Sequence, residues 1–318
     1  MVHGTLVCTD RACLQEFPVV DGIPFLVPNV RDIVTASESA IRQREDLPPV
    51  VLSLLGDCHA ADSSWEQARQ YLSIYARDHF GDFDPAEAGS SPAPGAITAL
   101  WRTAIELAGG LAPGGPTLEV GCGPGRTVFE AATQGPCVGI DLNVSFLRLA
   151  QRVARRQTVA YERRRVGLVY DWREFPATFA SSAQADFWAA DACFLPFADD
   201  AFARVVALNV LDCVSSPFDA LAQWRRVLRL GGLLILSTPY DWSPAATNPA
   251  AWLGGHSARG PERGASEPAL RRALAAVGGL EVIAENADVP WTVRLHDRSS
   301  VTYRSHVIVA RAIQRAAP

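Results

Sequence analysis

The sequence predicts an α/β fold: a mostly parallel sheet with helices on both faces. Three observations carry that expectation. From residue 96 onward, apolar runs of strand length alternate with segments of helical periodicity. A glycine-rich turn, EVGCGPG, joins the first of these strands to a helix. The chain then closes on two long strand-like runs around a charged turn, HDRSS, the pattern of an antiparallel hairpin at a sheet edge.

Taken in order, residues 1–30 (LVC, FPVVDGIPFLVP) read as short strands, with Asp21-Gly22 and three prolines marking turns. Residues 31–95 read as a helical lid and linker. ESAIRQRED and SSWEQARQYLSIYARDHF are its helices, the second with Trp65, Ala68, Leu72 and Tyr75 at helical spacing and Ser64 as its N-cap. Tyr71, Tyr75 and Phe80 are candidates for ligand contact, with core packing the expected role, and AEAGSSPAPG is the linker. In residues 96–318 the order is helix (ITALWRTAIELAGG), strand (TLEVGC), helix (RTVFEAATQG), strand (CVGIDLN) and helix (VSFLRLAQRVARRQ). After an irregular insert come strands in DFWAADACFLPF and ARVVALNVLD, the helix PFDALAQWRRVLRLGG, the strand LLILSTPYDW and the closing hairpin.

Composition bounds the function. The 318 residues are 48% hydrophobic and 20% charged, enough to bury a large core. A net charge of −5 argues against a basic nucleic-acid-coating surface. Seven cysteines between positions 8 and 213 form no disulfide framework, which with the absence of a signal-like N-terminus or a long apolar run leads to the expectation of a cytoplasmic protein without membrane spans.

The chemistry concentrates at one place. Gly121, Gly123 and Gly125 allow close approach of a ligand to the backbone, and Asp141 ends the next strand in GIDLN, where a carboxylate can bridge ribose hydroxyls. A dinucleotide-dependent dehydrogenase is the rival, but the spacing is GxGxG, not GxGxxG, and no hydride-transfer constellation is found. EVGCGPGRT, GIDLN, AADACFLPF and the strand ahead of RRVLRLGGLLILS together resemble class I S-adenosylmethionine-dependent methyltransferases over about residues 96–318. The resemblance implies a Rossmann-like seven-stranded sheet with an antiparallel last strand and S-adenosyl-L-methionine as cofactor. It implies Glu119 and the 121–125 turn at the methionine moiety, Asp141 at the ribose, Leu142 on the adenine, Asp191 and Ala192 at the adenine edge, and Asn209 facing the transferred methyl.

Transfer from a sulfonium is an in-line displacement in which the protein supplies alignment and exclusion of water. A base is needed only if the acceptor is protonated when it attacks. A neutral imidazole, with a pKa near ~6.5, is already nucleophilic at pH 7. The segments 208–214, 238–256 and 290–306 should border the acceptor, and they carry Asp212, Tyr240, Asp241, Trp242, Trp252, His256, Trp291, Arg294, His296 and Tyr303. Trp252 and Trp291 are expected to serve packing. LDCVSSPFDAL, LSTPYDWSPAATNPAAWLGG and VPWTVRLHDRSS, with the insert YERRRVGLVYDWREF, look like the mercaptohistidine N-methyltransferases of ovothiol synthesis and, more distantly, carnosine N-methyltransferases. That resemblance implies an acceptor group built from Asp212, Tyr240 or Asp241, and Tyr303, with the carnosine family's histidine unmatched and His256 only nearby.

The expected activity is methyl transfer to a small polar metabolite, with N-methylation of an imidazole or histidine-derived acceptor favoured. S-, Se- or O-methylation of another small metabolite is the alternative. An RNA methyltransferase is another, raised by Arg152, Arg155, Arg156 and Arg163–Arg165, for which a solvated face is the expected role. Residues 5–28 resemble a zinc-ribbon-like segment, but only Cys8 and Cys13 are present locally, and Cys58 and His59 would have to complete a set, so no metal site is expected.

Overall fold

The computed structural model describes residues 4–13, 16–29, 64–112, 114–260 and 262–314. The helix expected over 38–46, and Cys58 and His59, lie outside these residues. No described helix is long and apolar enough to cross a membrane.

The heart of the fold is a sheet whose central strands are apolar runs, not alternating ones. β4 (Thr117–Val120) and β9 (Phe202–Leu208) are buried at every position, as expected for parallel strands covered on both faces. With β5 (Cys137–Asp141), β8 (Ala185–Ala190) and β10 (Leu228–Thr238) they run parallel in the order β8-β5-β4-β9-β10. β12 (Ser299–Ala312) joins β10 antiparallel, and β11 (Leu280–His296) forms the outer edge. These seven strands reproduce the expected topology, with the antiparallel strand last in the chain.

The N-terminal strands do not stand apart from the main sheet. β1 (Gly4–Val7), β2 (Glu16–Val20) and β3 (Ile23–Leu26) extend the same sheet to ten strands, β3 pairing parallel with β8 through Phe25–Ala189 and Leu26–Ala190. Ile23 and Phe25 are fully buried there, so core burial as well as backbone pairing covers the β8 edge. Cys8 is half-buried and Cys13 exposed, and no group of three or more potential metal ligands occurs among the described residues.

Helices sort to the two faces. α1 (Ser64–Phe80), α2 (Ala96–Leu107), α3 (Arg126–Ala131) and α4 (Val144–Arg156) share one core layer with Phe80, Phe129 and Phe187. α5 (Pro217–Val227) and α6 (Ser266–Val277) cover the other around Trp224 and Leu270. Local chemistry starts two of these helices. The Asn143 side chain accepts from Ser145 N and Phe146 N to begin α4, while Ser216 caps α5 ahead of Pro217.

The insert after α4 is regular: β6 (Thr158–Val166) and β7 (Val169–Pro176) form a separate antiparallel hairpin against α1. Arg69 is held bidentate by Glu162 at 2.7 and 2.6 Å, Tyr170 donates to Glu66 at 2.6 Å, and Ser73 Oγ accepts from Arg164 N at 2.6 Å. Arg163 binds Glu87, which also pairs with Arg77 and Arg294. The arginines at 163–165 are therefore engaged within the fold, Arg164 with Gln70 and Arg165 beside Asp171. The segment expected as a linker is tied down by the same network: Arg77 also donates to Ser90 Oγ and to the Pro92 carbonyl.

Candidate functional site

A cavity of about 500 Å³ opens at the carboxyl ends of β4, β5, β8 and β9, where the strand order reverses and ligands of open α/β sheets bind. Its walls include Glu119, Gly121, Gly123, Asp141, Leu142, Asp191, Ala192 and Asn209, which are all but one of the expected cofactor residues. The exception is Gly125. It precedes α3 at φ 90°, and a Cβ there would meet Phe187 at 2.5 Å, so its smallness serves the packing of the turn on the sheet.

The turn is shaped to leave room. Gly121 sits at φ +65°, and a Cβ built on it falls 2.3 Å from Val210 Cγ2. Asp141 organises the turn from β5: its carboxylate accepts from Gly123 N at 2.9 Å and Asn143 N at 2.7 Å. Burial raises its pKa, while backbone N–H groups from Asn143, Gly123 and Leu142 oppose the rise.

Glu119 is buried on β4 and accepts from the Thr127 hydroxyl through Oε1, while Oε2 has no partner. Burial pushes its pKa up to about 8, opposed by the Thr127 hydrogen bond and reinforced by Asp141. Asn209, at the end of β9, holds an unusual φ of 52°, and its Oδ1 accepts from Ser237 Oγ at 2.7 Å. Its Nδ2 is buried without a partner. A buried acceptor and a buried donor left open beside a glycine cradle suit the ammonium and polar edges of an amino-acid-bearing nucleoside.

The expected acceptor residues stand behind one wall. Trp291 lines the cavity and stacks on Tyr303 with ring centroids 5.2 Å apart. Burial and the nearby Asp241 carboxylate push the Tyr303 hydroxyl up to about 12, and Asp241 N donates to Asp212 Oδ2 at 2.7 Å. Asp212 is 1% exposed, its Oδ1 has no partner, and burial raises its pKa. Its neighbour Cys213 reaches the cavity. Tyr240 instead pairs its hydroxyl with His306 Nδ1 at 2.7 Å, and His256 is exposed on the surface, apart from the cavity lining.

Two packing expectations change. Trp291 is a wall of the cavity, whereas Trp252 stacks on Trp242 and donates to the Thr247 carbonyl. Tyr71 and Tyr75 also line the cavity, while Phe80 is fully buried in the core as expected. Sequence reasoning missed His79. Its signal was available: Tyr71, Tyr75 and His79 are spaced by four on one helix, so all three face the same way.

Residues 118–236 match the family model described as a methyltransferase domain. The match takes in 119 of the 318 residues, from β4 through the glycine turn to β10. A demethylmenaquinone methyltransferase of Renibacterium salmoninarum is 30% identical over 141 residues, 44% of this chain. The chain spans about half the length of that curated relative, 48%. Among solved structures, a geranyl diphosphate C-methyltransferase of Streptomyces coelicolor A3(2), in complex with magnesium, geranyl diphosphate and S-adenosyl-L-homocysteine, is 15% identical with a TM-score of 0.49. That likeness covers 78% of this chain and 97% of that one. A SAM-dependent methyltransferase of Methanosarcina mazei is 23% identical with a TM-score of 0.42, over 64% of this chain and 95% of that one. The matched segment contributes the parallel strands β4, β5, β8, β9 and β10 and the glycine turn, and α1 and the β11–β12 hairpin, outside it, contribute Tyr71, Tyr75 and Trp291 to the cavity walls.

Proposed function

We propose that the chain is an S-adenosylmethionine-dependent methyltransferase of a small polar metabolite, and that it N-methylates the imidazole of a histidine-derived acceptor. The bound cofactor supplies an electrophilic methyl group. Glu119, the 121–125 turn, Asp141, Leu142, Asp191, Ala192 and Asn209 hold and orient the cofactor. Asp212, Tyr303 and Asp241, standing behind the Trp291 wall, set the acceptor's orientation, while Tyr240, paired with His306, and the exposed His256 fall outside that group.

The observation that carries the acceptor class is that, apart from Glu119, Asp141 and Asp191, which this reading assigns to the cofactor, the described cavity lining holds no carboxylate, and its one histidine, His79, already has Nδ1 engaged. Burial, helped by Arg126, pushes the His79 pKa down to about 3, and its Nδ1 is occupied by the Arg126 N–H at 3.2 Å. Burial pushes the Cys213 thiol up to about 12 and raises the Tyr75 hydroxyl above its ordinary value. Glu119 and Asp141 are committed to the glycine turn region. An acceptor that must lose a proton first would find little help here, whereas a neutral imidazole nitrogen needs only alignment. The flat aromatic walls of Tyr75 and Trp291 suit such a ring.

The test is a mass-spectrometric screen of enzyme and S-adenosylmethionine with histidine, carnosine, histamine, thiol- and selenol-histidines, and simple thiols. A gain of about 14 daltons, one methylene's mass, mapped to a ring nitrogen is the expected result. A gain on sulfur or selenium would retain the cofactor assignment and overturn the N-methylation reading. Cofactor binding without any product from the panel would reject this acceptor class.

A further inference from the structure

His79 is the last polar residue of α1, is 5% exposed, and lines the cavity directly opposite the glycine turn. A Cβ added to Gly123 would lie 3.3 Å from both Cε1 and Nε2 of its ring, so the imidazole edge closes over that glycine. The orientation of the ring follows from one hydrogen bond. Arg126 N reaches His79 Nδ1 at 3.2 Å, and a backbone N–H can only donate, so Nδ1 is the unprotonated nitrogen. A neutral imidazole carries one ring proton, which must then sit on Nε2. The low pKa noted above keeps the ring in this neutral form throughout the working range.

The Nε2–H has no protein partner among the described residues, and it faces a cavity lined by the acids Glu119, Asp141 and Asp191. The Arg126 guanidinium stands close behind it, donating to the His79 carbonyl at 3.3 Å and to Asp82 at 2.9 Å. Against three acids, the edge occupied by His79 is where an anionic part of a ligand is best received.

We propose that His79 donates its Nε2–H to the carboxylate at the amino-acid end of the bound cofactor, making α1 a wall of the cofactor site. This rests on the reading of the cavity as the cofactor site. A consequence is that cofactor binding and the docking of α1, together with its Tyr71 and Tyr75, are coupled: the helix that shapes the acceptor side is held in place by the cofactor itself.

Two substitutions separate contact from scaffold. In His79→Asn the side-chain oxygen replaces Nδ1 and still accepts from Arg126 N, but the cavity donor is gone. In His79→Gln the amide nitrogen replaces Nε2, keeping a cavity donor and giving up the Arg126 acceptor. Titration calorimetry would compare S-adenosylhomocysteine with its decarboxylated analogue, with circular dichroism to verify folding. Losing one hydrogen bond to a charged group predicts that His79→Asn weakens S-adenosylhomocysteine binding about 10- to 100-fold. Binding of the analogue should change by less than about three-fold, and His79→Gln should keep most of the wild-type affinity. The proposal is overturned if His79→Asn binds both ligands as wild type does, if it weakens both equally, or if only His79→Gln loses affinity. Wild-type protein that binds neither ligand would remove the cofactor reading of the cavity, and this assignment with it.

Discussion

Trp291 Nε1 donates to Asp78 Oδ2 at 2.9 Å, joining two residues 213 positions apart and pinning the closing hairpin to α1. Asp78 Oδ1 also accepts from Ile97 N at 3.2 Å, so one buried carboxylate ties together α1, the start of α2 and β11. Trp291→Phe keeps an aromatic wall but strips Asp78 of a partner, and should cost about 1–3 kcal/mol in chemical denaturation. Burial, opposed mainly by the Trp291 hydrogen bond, raises the Asp78 pKa to about 6. A carboxyl with a raised native pKa binds more protons folded than unfolded, so its contribution to stability falls as pH rises from about 4 to 6. Asp78→Asn should flatten that part of the stability–pH curve, and an unchanged slope would contradict the assignment.

Glu119 predicts a proton count. With its pKa raised to about 8, it is mostly protonated at pH 7 before the cofactor enters. An ammonium placed beside it favours the carboxylate, so binding should release most of a proton at pH 7, and the release should shrink as the pH rises past the free carboxyl's pKa. Calorimetry in buffers of different ionisation enthalpy measures this directly. Glu119→Gln should abolish the release.

Asp141→Ala should weaken S-adenosylhomocysteine binding by about 10-fold or more, since it removes the expected ribose contact and two hydrogen bonds that shape the turn. Equilibrium dialysis gives the affinity. Affinity equal to wild type would contradict the ribose assignment.

Asp212→Asn should separate the two substrates. The acceptor kcat/KM is expected to fall about 10- to 100-fold, while the cofactor Kd stays within about three-fold. Equal losses in both would place Asp212 in the cofactor site or in the scaffold, a role for which its hydrogen bond to Asp241 N already makes it suited.

The sheet was legible because β9 and β10 are long apolar runs between helices with clear starts such as Asn143 and Ser216. The cofactor turn was legible for a similar reason: its function depends on glycines at fixed spacing, and Gly121 and Gly123 need no distant partner to be recognised. The walls were harder. Trp291 and Tyr75 have the composition of core residues, and only the long-range approach of α1 to β11 turns them toward a cavity. The N-terminal strands were legible as strands, but their place in the sheet was not, since the pairing of Phe25 with Ala189 spans 164 positions and leaves no local pattern. His79 was half visible: its i, i+4 relation to Tyr75 was in the sequence, but its orientation depends on Arg126 N.

In the proposed reaction, transfer needs alignment and no base from the enzyme. The most direct measurement is the pH dependence of kcat/KM for methyl transfer to a series of imidazole acceptors with different ring pKa values. The predicted profile rises through each acceptor's own pKa and then stays level, its midpoint moving with the acceptor. A midpoint that stays fixed while the acceptor pKa changes would show that an enzyme group must first lose a proton, and would contradict the account.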